Sequence, residues 1–407
     1  MDNKSKLAKL LALVFAFALL AAACGSSSDG DDTTTAGDGD TAQADDGDAD
    51  DDAGDAGDAG DDDSDDADDE ADDDAMDDEE VELTQGGDVA ARVQAAGTLE
   101  CGGNDTLPGF GIIDAEGEFN GFDIDFCRVV AAAVLGDADA VNFTPLVAAQ
   151  RFPTLQSGEI DVLIRNTTWT ASRDGSEGAT FLHTTFFDGQ GFMVRADSGI
   201  SSLDDISDAT ICVLQGTTTL LNMNAVLGDM GIPFTPVEFE SNDELNPAFQ
   251  AGQCEVWTSD ASQLAAFAAS IDIETSILPE IISKEPLGPV VADGDTQWAQ
   301  QVNWATMATI QAWEYGISSE NIDGFMDSED SGIRRFLGLP IEGDDGTSAV
   351  FDAGLGLDPE FAQNIIRQVG NYEEIFERNL GPISLNLGGS PNDLWTNGGL
   401  QYVPPFR

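Results

Sequence analysis

The chain has 407 residues, of which 78 are acidic and 15 are basic, and its formal net charge is −63 at pH 7. Because like charges repel, this balance excludes the phosphate backbone of a nucleic acid as a partner. The length is sufficient for two medium domains, or for one two-lobed domain with tails, so chain length does not restrict the fold.

Residues 1–23 have the parts of a secretory signal. An apolar run at residues 10–23, too short for a permanent membrane anchor, follows a basic start that contains Lys4, Lys6 and Lys9. The segment Leu20-Ala21-Ala22-Ala23-Cys24 resembles the lipobox of bacterial lipoproteins, although Ala21 stands where leucine is commoner. The resemblance implies that Cys24 is the lipidated first residue of the mature protein, and plain secretion is the alternative.

Residues 24–87 are predicted to be a disordered acidic linker. Between positions 29 and 82 there are 29 acidic residues and neither lysine nor arginine. A segment with almost no large apolar side chain cannot bury enough surface to offset its ordering entropy, and self-repulsion keeps it extended. The folded body is also acidic, which fits either salty surroundings or an ordinary acidic exported protein.

From about Asp88 onward, short apolar runs alternate with longer helical patterns, which is typical of an α/β domain. Strands are predicted at residues 98–101, 161–164, 210–214 and 255–258. Helices are predicted at residues 121–135, 151–157 and 218–227.

The segment Gly121-Phe122-Asp123-Ile124-Asp125-Phe126 resembles the signature of family 3 bacterial extracellular solute-binding proteins. Within that family the chain is most similar to the general L-amino-acid-binding proteins of polar amino-acid ABC importers. The similarity extends from about residue 90 to residue 407, with supporting segments at 157–163, 165–170, 187–194, 215–219, 278–289, 368–372 and 398–402.

The resemblance implies a type II periplasmic-binding-protein-like α/β fold, in which two lobes are joined by two hinge-crossing strands and trap the ligand between them. The first crossing is expected near residues 191–195 and the second near residues 285–291. The first part of lobe 1 is then 88–191, lobe 2 with the hinge strands is 192–285, and residues 286–407 form the lobe 1 return and the C-terminal region.

A dry cleft that binds an amino acid needs an arginine fork for the carboxylate and a carboxylate for the ammonium group. Arg173 and Asp260 stand where the family places these two groups, and Asp260 ends a predicted strand, where ligands of open sheets bind. Taken alone, Arg173 would be an ordinary surface residue, and a single Asp in so acidic a chain would mean little.

Five further residues are candidates for ligand contacts. Thr218 opens a helix after a glycine turn and is expected to bind the carboxylate, although it would also serve as a simple helix cap. Asn166 and Thr168 are expected to add hydrogen bonds. Phe110 and Trp169 are candidates for the wall that contacts the ligand side chain, and Trp169 is equally compatible with the core.

After Cys24 four cysteines remain, and in an exported chain they are expected to form disulfides. Of the three possible pairings we favour Cys101–Cys127 with Cys212–Cys254. A metal site is not expected, because no CxxC spacing occurs and His183 is the only histidine. No catalytic residue and no cofactor are predicted.

The sequence therefore predicts the substrate-binding component of an amino-acid ABC importer rather than an enzyme. Its expected partners are an L-amino acid, a membrane permease and the membrane through the lipid anchor, and the chain is expected to be a monomer. The expected location is the outer face of the cytoplasmic membrane, in the periplasm or cell-wall space, as a lipoprotein. The alternatives are an exported dehydratase or lyase acting on a small carboxylate on the same fold, and a sensor input module.

Overall fold

The structure is a computed structural model that describes residues 88–342 and 347–407. The predicted signal, the lipidation candidate Cys24 and the acidic linker lie outside the described residues. Within the described part, no helix combines the length and the apolar character needed to cross a membrane.

The strands are β1 (Leu99–Gly103), β2 (Thr106–Leu107), β3 (Gly111–Ile113), β4 (Phe119–Asn120), β5 (Val141–Pro145), β6 (Val162–Leu163), β7 (Ala179–Phe181), β8 (Phe186–Asp188), β9 (Gln190–Arg195), β10 (Ala209–Leu214), β11 (Phe234–Phe239), β12 (Val256–Asp260), β13 (Thr275–Ile277), β14 (Glu285–Leu287), β15 (Val290–Ala292), β16 (Ile341–Glu342) and β17 (Ser348–Ala349). The α-helices are α1 (Asp88–Ala96), α2 (Phe122–Leu135), α3 (Arg151–Gln156), α4 (Ala171–Ser176), α5 (Thr218–Asp229), α6 (Asn242–Gln250), α7 (Ala261–Ala268), α8 (Thr296–Glu314), α9 (Ser331–Phe336), α10 (Phe361–Gln368) and α11 (Tyr372–Asn379). All seven elements predicted from the sequence are present, with their ends displaced by at most about two residues, the usual uncertainty of a helix or strand end.

Two five-stranded sheets form the centres of two lobes. The sheet of the first lobe has the order β5-β1-β6-β15-β7, and that of the second lobe has the order β11-β10-β12-β9-β13. In each sheet three strands are parallel and the other two pair antiparallel. The parallel strand β10 has a continuous apolar run, Ile211-Cys212-Val213, that is fully buried because the sheet is covered on both faces.

Helix α2 forms part of the core of the first lobe. Eleven of its 14 residues are apolar, and all but Arg128 and Leu135 are buried, including Asp123 and Asp125, which is the pattern of a helix packed on all sides. The helix stops at Gly136, whose positive φ of 74° is accessible to glycine without strain and lets its N–H donate to the carbonyl of Ala132. Helices α8 and α10 pack against α2 from the C-terminal part of the chain.

One disulfide lies in each lobe. Cys101 of β1 is bonded to Cys127 of α2, with their Cα atoms 6.2 Å apart. Cys212 of β10 is bonded to Cys254, which lies just before β12, with a Cα separation of 5.6 Å. These are the two disulfides favoured from the sequence.

Strands β8 and β14 form the connection between the lobes. They pair antiparallel with each other, Glu285 opposite Asp188, and belong to neither five-stranded sheet. Strand β14 lies at the start of the range 285–291 expected for the second crossing, and the end of that range enters β15 of the first sheet. The first crossing was predicted at residues 191–195, a few residues too late, since Gln190–Arg195 is β9 of the second sheet, hydrogen-bonded to β12 and β13.

The C-terminal segment packs against the first crossing. The side-chain amide of Asn392 accepts the N–H of Phe187 at 2.7 Å and donates to the carbonyl of Phe187 at 3.2 Å, so it pairs with β8 as a neighbouring strand would. Gln401 donates to the carbonyls of Thr184 and Thr185, and the hydroxyl of Tyr372 also donates to Thr185. The backbone just before the hinge is therefore fixed to the first lobe.

Candidate functional site

A cavity lies between the lobes at the carboxyl ends of the parallel strands of both sheets, the position at which ligands bind in open α/β sheets. The first lobe contributes Asn104, Arg151, Arg165, Asn166, Thr168 and Arg173 to its wall. The second lobe contributes Thr217, Thr218, Ser259, Asp260 and Gln263. The wall is thus almost entirely polar, and polar groups come from both lobes.

The lobes touch each other around this cavity. The hydroxyl oxygens of Thr168 and Thr218 lie 3.3 Å apart across it. The carbonyl oxygen of Gly216, in the second lobe, accepts hydrogen bonds from Arg151 at 3.2 Å and from Arg173 at 3.5 Å. The structure therefore shows the closed arrangement of the two lobes.

Arg173 lies on α4, whose first turn is fixed by Thr170, because the Thr170 hydroxyl accepts the backbone N–H of Arg173 at 3.2 Å. Its guanidinium donates to the carbonyl of Thr168 at 3.0 Å and lies 5.5 Å from the centre of the Phe152 ring. Burial lowers the pKa of Arg173, and nearby carboxylates, chiefly Glu285, oppose that shift. The fork is thus held in place by neutral carbonyls, with donors left for a ligand.

Asp260 is the last residue of β12 and is buried. One carboxylate oxygen accepts the side-chain amide of Gln263 at 2.7 Å, and among the described residues the carboxylate has no ion-pair partner. Burial raises the pKa of Asp260 well above its ordinary value, and the neighbouring Asp188 and Glu285 raise it further. A cation bound beside Asp260 would supply the missing positive charge.

A line of hydrogen bonds connects the threonines of the cleft to the hinge. Thr218, the first residue of α5, donates its hydroxyl to Glu285 at 3.0 Å, and Asn222 donates to the other oxygen of Glu285 at 2.7 Å. Glu285 itself lies on β14 and is buried. Strand β14 is consequently linked to Thr218 in the cavity wall.

Asn166 has a positive φ of 31°, a conformation rare for residues other than glycine. Its backbone N–H donates to the carboxylate of Asp123 at 2.7 Å, and its side-chain oxygen accepts from Asn104 at 3.4 Å. Burial raises the pKa of Asp123 to about 7, while the hydrogen bond from Asn166 and the charge of Arg165 lower it. Asp123 thus holds the strained backbone of Asn166 beside the cavity.

The structure does not bring the two predicted aromatic residues to the cavity. Phe110 is fully buried in the first lobe, in edge contact with Phe122 and Phe186, because a large apolar ring gains more from the core than from a polar cleft. Trp169 stacks on Phe181 with 41% of its surface exposed, and it does not line the cavity. The other predicted residues, Arg173, Asp260, Thr218, Thr168 and Asn166, all line it.

Sequence reasoning missed two arginines of the cleft, Arg151 and Arg165. Both are buried, with 2% and 5% of their surface exposed. A signal for them was present, because three of the 15 basic residues of this acidic chain lie at positions 151, 165 and 173. Such scarce charges concentrated in one stretch point to a function.

His183, the lone histidine, lies outside the cleft. Its Nε2 is 3.2 Å from the side-chain oxygen of Gln401, and burial lowers the pKa of the imidazole. In residues 88–342 and 347–407, no group of three or more His, Cys, Asp or Glu side chains is arranged to hold a metal ion.

Comparison with known proteins gives the same fold and a family. Residues 99–318 match the bacterial extracellular solute-binding proteins, family 3, so every cleft residue named above lies within the match. The chain is 48% identical over 318 residues to the general L-amino acid-binding periplasmic protein AapJ of Rhizobium johnstonii. The aligned part covers 77% of this chain and 92% of the relative. It is 46% identical over 319 residues to the glutamate/glutamine/aspartate/asparagine-binding protein BztA of Rhodobacter capsulatus, with 77% and 92% covered.

A solved structure is also similar. An ABC transporter periplasmic binding protein from Brucella ovis with glutathione bound superposes with a TM-score of 0.74 at 44% identity, covering 79% of this chain and 100% of that one. These findings confirm the family resemblance and the two-lobed fold inferred from the sequence. The chain belongs to the bacterial extracellular solute-binding proteins, family 3.

Proposed function

We propose that this protein is the substrate-binding component of an amino-acid ABC importer, which captures an L-amino acid between its lobes and delivers it to a membrane permease. One observation carries the proposal: a buried guanidinium from the first lobe, Arg173, and a buried carboxylate from the second, Asp260, line the same cavity. The relatives named above are described as amino-acid-binding proteins, which supports the choice of ligand class.

The geometry matches the chemistry of a zwitterion. The α-carboxylate is received by the free donors of Arg173 and by the N–H groups at the start of α5, where Thr218 stands. The α-ammonium is received by Asp260, with the hydroxyl of Thr168 and the amide of Asn166 as further partners. Because these groups come from both lobes, a bound amino acid joins the lobes and favours the closed arrangement.

The predicted signal at residues 1–23, with Cys24 after it, implies where the protein works. Lipidation at Cys24 would attach it to the outer face of the cytoplasmic membrane, and residues 25–87 would be the tether that lets a monomeric body reach a permease. Mass spectrometry of the protein purified from cell membranes tests this, because an acylated N-terminal Cys24 is expected. An unmodified mature N-terminus elsewhere would contradict it.

The proposal is tested by calorimetric titration of the purified protein with each of the common L-amino acids. At least one is expected to bind, and Arg173→Ala is expected to weaken its binding about 30-fold or more, because a hydrogen-bonded buried charge pair is broken. The matched control is Arg367→Ala, which removes a partly exposed arginine that is paired with Asp323 and does not line the cavity, and it should leave the affinity unchanged. No heat with any amino acid would contradict the proposed function.

A further inference from the structure

The cleft contains more positive charge than an amino acid backbone requires. Arg151, Arg165 and Arg173 all line it, and their exposed fractions are 2%, 5% and 8%. A single guanidinium suffices for one α-carboxylate. The other two are buried at a cost in solvation that calls for an explanation.

The charges around the three arginines are not equally balanced. Two of the arginines have carboxylates nearby. The charge of Arg165 is offset chiefly by Asp123, and the charge of Arg173 is offset chiefly by Glu285. Burial, together with the charges of Arg173 and Arg165, lowers the pKa of Arg151 well below its ordinary value, and only Asp260 opposes this. Because Asp260 is the partner proposed for the ligand ammonium, a bound zwitterion leaves Arg151 without a compensating charge.

The hydrogen bonds of Arg151 also leave donors free. Its Nε donates to the carbonyl of Ala148 at 2.9 Å, and its Nη2 donates to the carbonyl of Gly216 at 3.2 Å. Its Nη1 makes no hydrogen bond to any described residue, and no described carboxylate lies within ion-pair distance. A guanidinium fixed on one edge by carbonyls, with free donors in a cavity, is suited to a carboxylate.

We propose that Arg151 receives a second carboxylate, in the side chain of the ligand, so that the cleft binds acidic L-amino acids in preference to their uncharged amides. This inference rests on the proposed function, since it assigns the side-chain end of the same ligand. Arg151 is then the residue that determines specificity, while Arg173 and Asp260 bind the groups common to all amino acids.

The test compares ligands of equal shape and different charge, L-glutamate with L-glutamine and L-aspartate with L-asparagine, by calorimetric titration of the full protein. The acid of each pair is expected to bind at least about tenfold more tightly, as a charge-assisted hydrogen bond to a buried group implies. Equal binding of acid and amide would overturn the inference and leave the proposed function intact. Absence of binding by all four, and by every other amino acid, would overturn both.

Arg151→Gln tests the residue itself. It is expected to weaken glutamate binding about tenfold or more and to leave glutamine binding within about threefold, so the ratio between them falls towards one. The control Arg367→Gln should keep the ratio of the unmodified protein. An equal loss of affinity for glutamate and glutamine would contradict a role of Arg151 in selecting the ligand side chain.

Arg151→Lys tests the same assignment if Arg151→Gln does not fold. Lysine keeps the charge but lacks the planar fork, so the preference for glutamate is expected to fall by several-fold without disappearing. An unchanged ratio would contradict the assignment of the second carboxylate to Arg151.

Discussion

Gly216 lies against Ala149 where the two lobes meet, and enlarging its side chain should hinder closure. A Cβ added at Gly216 would lie 2.9 Å from the Cα and 3.1 Å from the backbone nitrogen of Ala149, which belongs to the first lobe. Real Cβ atoms essentially never lie within 3.0 Å of another residue's atom, so the contact with the Cα of Ala149 forces the lobes apart in Gly216→Ala. Because Ala149 and Gly216 separate when the cleft opens, this clash exists only in the closed form.

The magnitude follows from two separate costs. The clash costs about 1–3 kcal/mol, the usual range for overpacking, which corresponds to an affinity about 5- to 150-fold weaker. The positive φ of 71° at Gly216 adds strain of about 1 kcal/mol or more for alanine. This strain is present in both open and closed forms, so it lowers the melting temperature without changing the affinity.

Gly231→Ala is the matched control, since Gly231 also lies in the second lobe, has a φ of 69°, and has no atom within 4 Å of the added Cβ. The assay is calorimetric titration of both variants with the amino acid that binds most tightly, together with thermal melting. Both variants should melt lower than the unmodified protein, and only Gly216→Ala should bind more weakly. Binding by Gly216→Ala as tight as by Gly231→Ala would refute closure through this contact.

Three further predictions concern buried polar groups. Asp260→Asn should weaken ligand binding about 30-fold or more. It should also leave the melting temperature of the ligand-free protein equal or higher, because a buried carboxylate without an ion pair is removed. A lower melting temperature by calorimetry would contradict this. Burial raises the pKa of Asp123 to about 7. The Asp123 carboxyl group therefore contributes stability that is fully present below its ordinary pKa of 3.8 and is lost as the pH rises through about 7. Asp123→Asn should therefore reduce the fall in melting temperature between pH 5 and pH 8, and an unchanged pH dependence in fluorescence-monitored melts would argue against it. Asn392→Ala leaves the N–H and carbonyl of Phe187 unpaired. Urea denaturation should therefore show an unfolding free energy about 1–3 kcal/mol lower than that of the unmodified protein. A decrease below about 0.5 kcal/mol would mean that the C-terminal segment does not support the hinge.

Much of the fold follows from local pattern. The buried run of β10 and the mostly apolar sequence of α2 are readable because elements that are packed on both faces or on all sides bury mainly apolar residues. Arg173 and Asp260 were predicted as ligand contacts from the family pattern and the chemistry of an amino acid, and both line the cavity. The pairing of cysteines was found for a related reason, since each disulfide joins elements adjacent in the predicted fold.

The remainder depends on tertiary packing that a linear pattern does not contain. Phe110 and Trp169 lie in short or irregular segments, where no period tells which way a ring points. The crossing was misplaced because β9 and β8 are adjacent in sequence and both extended, and only pairing with β12 or β14 separates them. Arg151 was missed because its role arises from neighbours that are distant in the chain, such as Gly216.

The most direct test of the central claim, that Arg173 and Asp260 bind the two charged groups of one amino acid, removes those groups from the ligand. Calorimetric titration would compare the amino acid that binds most tightly with its analogue lacking the α-carboxylate and its analogue lacking the α-amino group. Each analogue is predicted to bind about 30-fold or more weakly than the parent, since a buried charge then lacks its partner. Binding of either analogue as tightly as the parent amino acid would contradict the account.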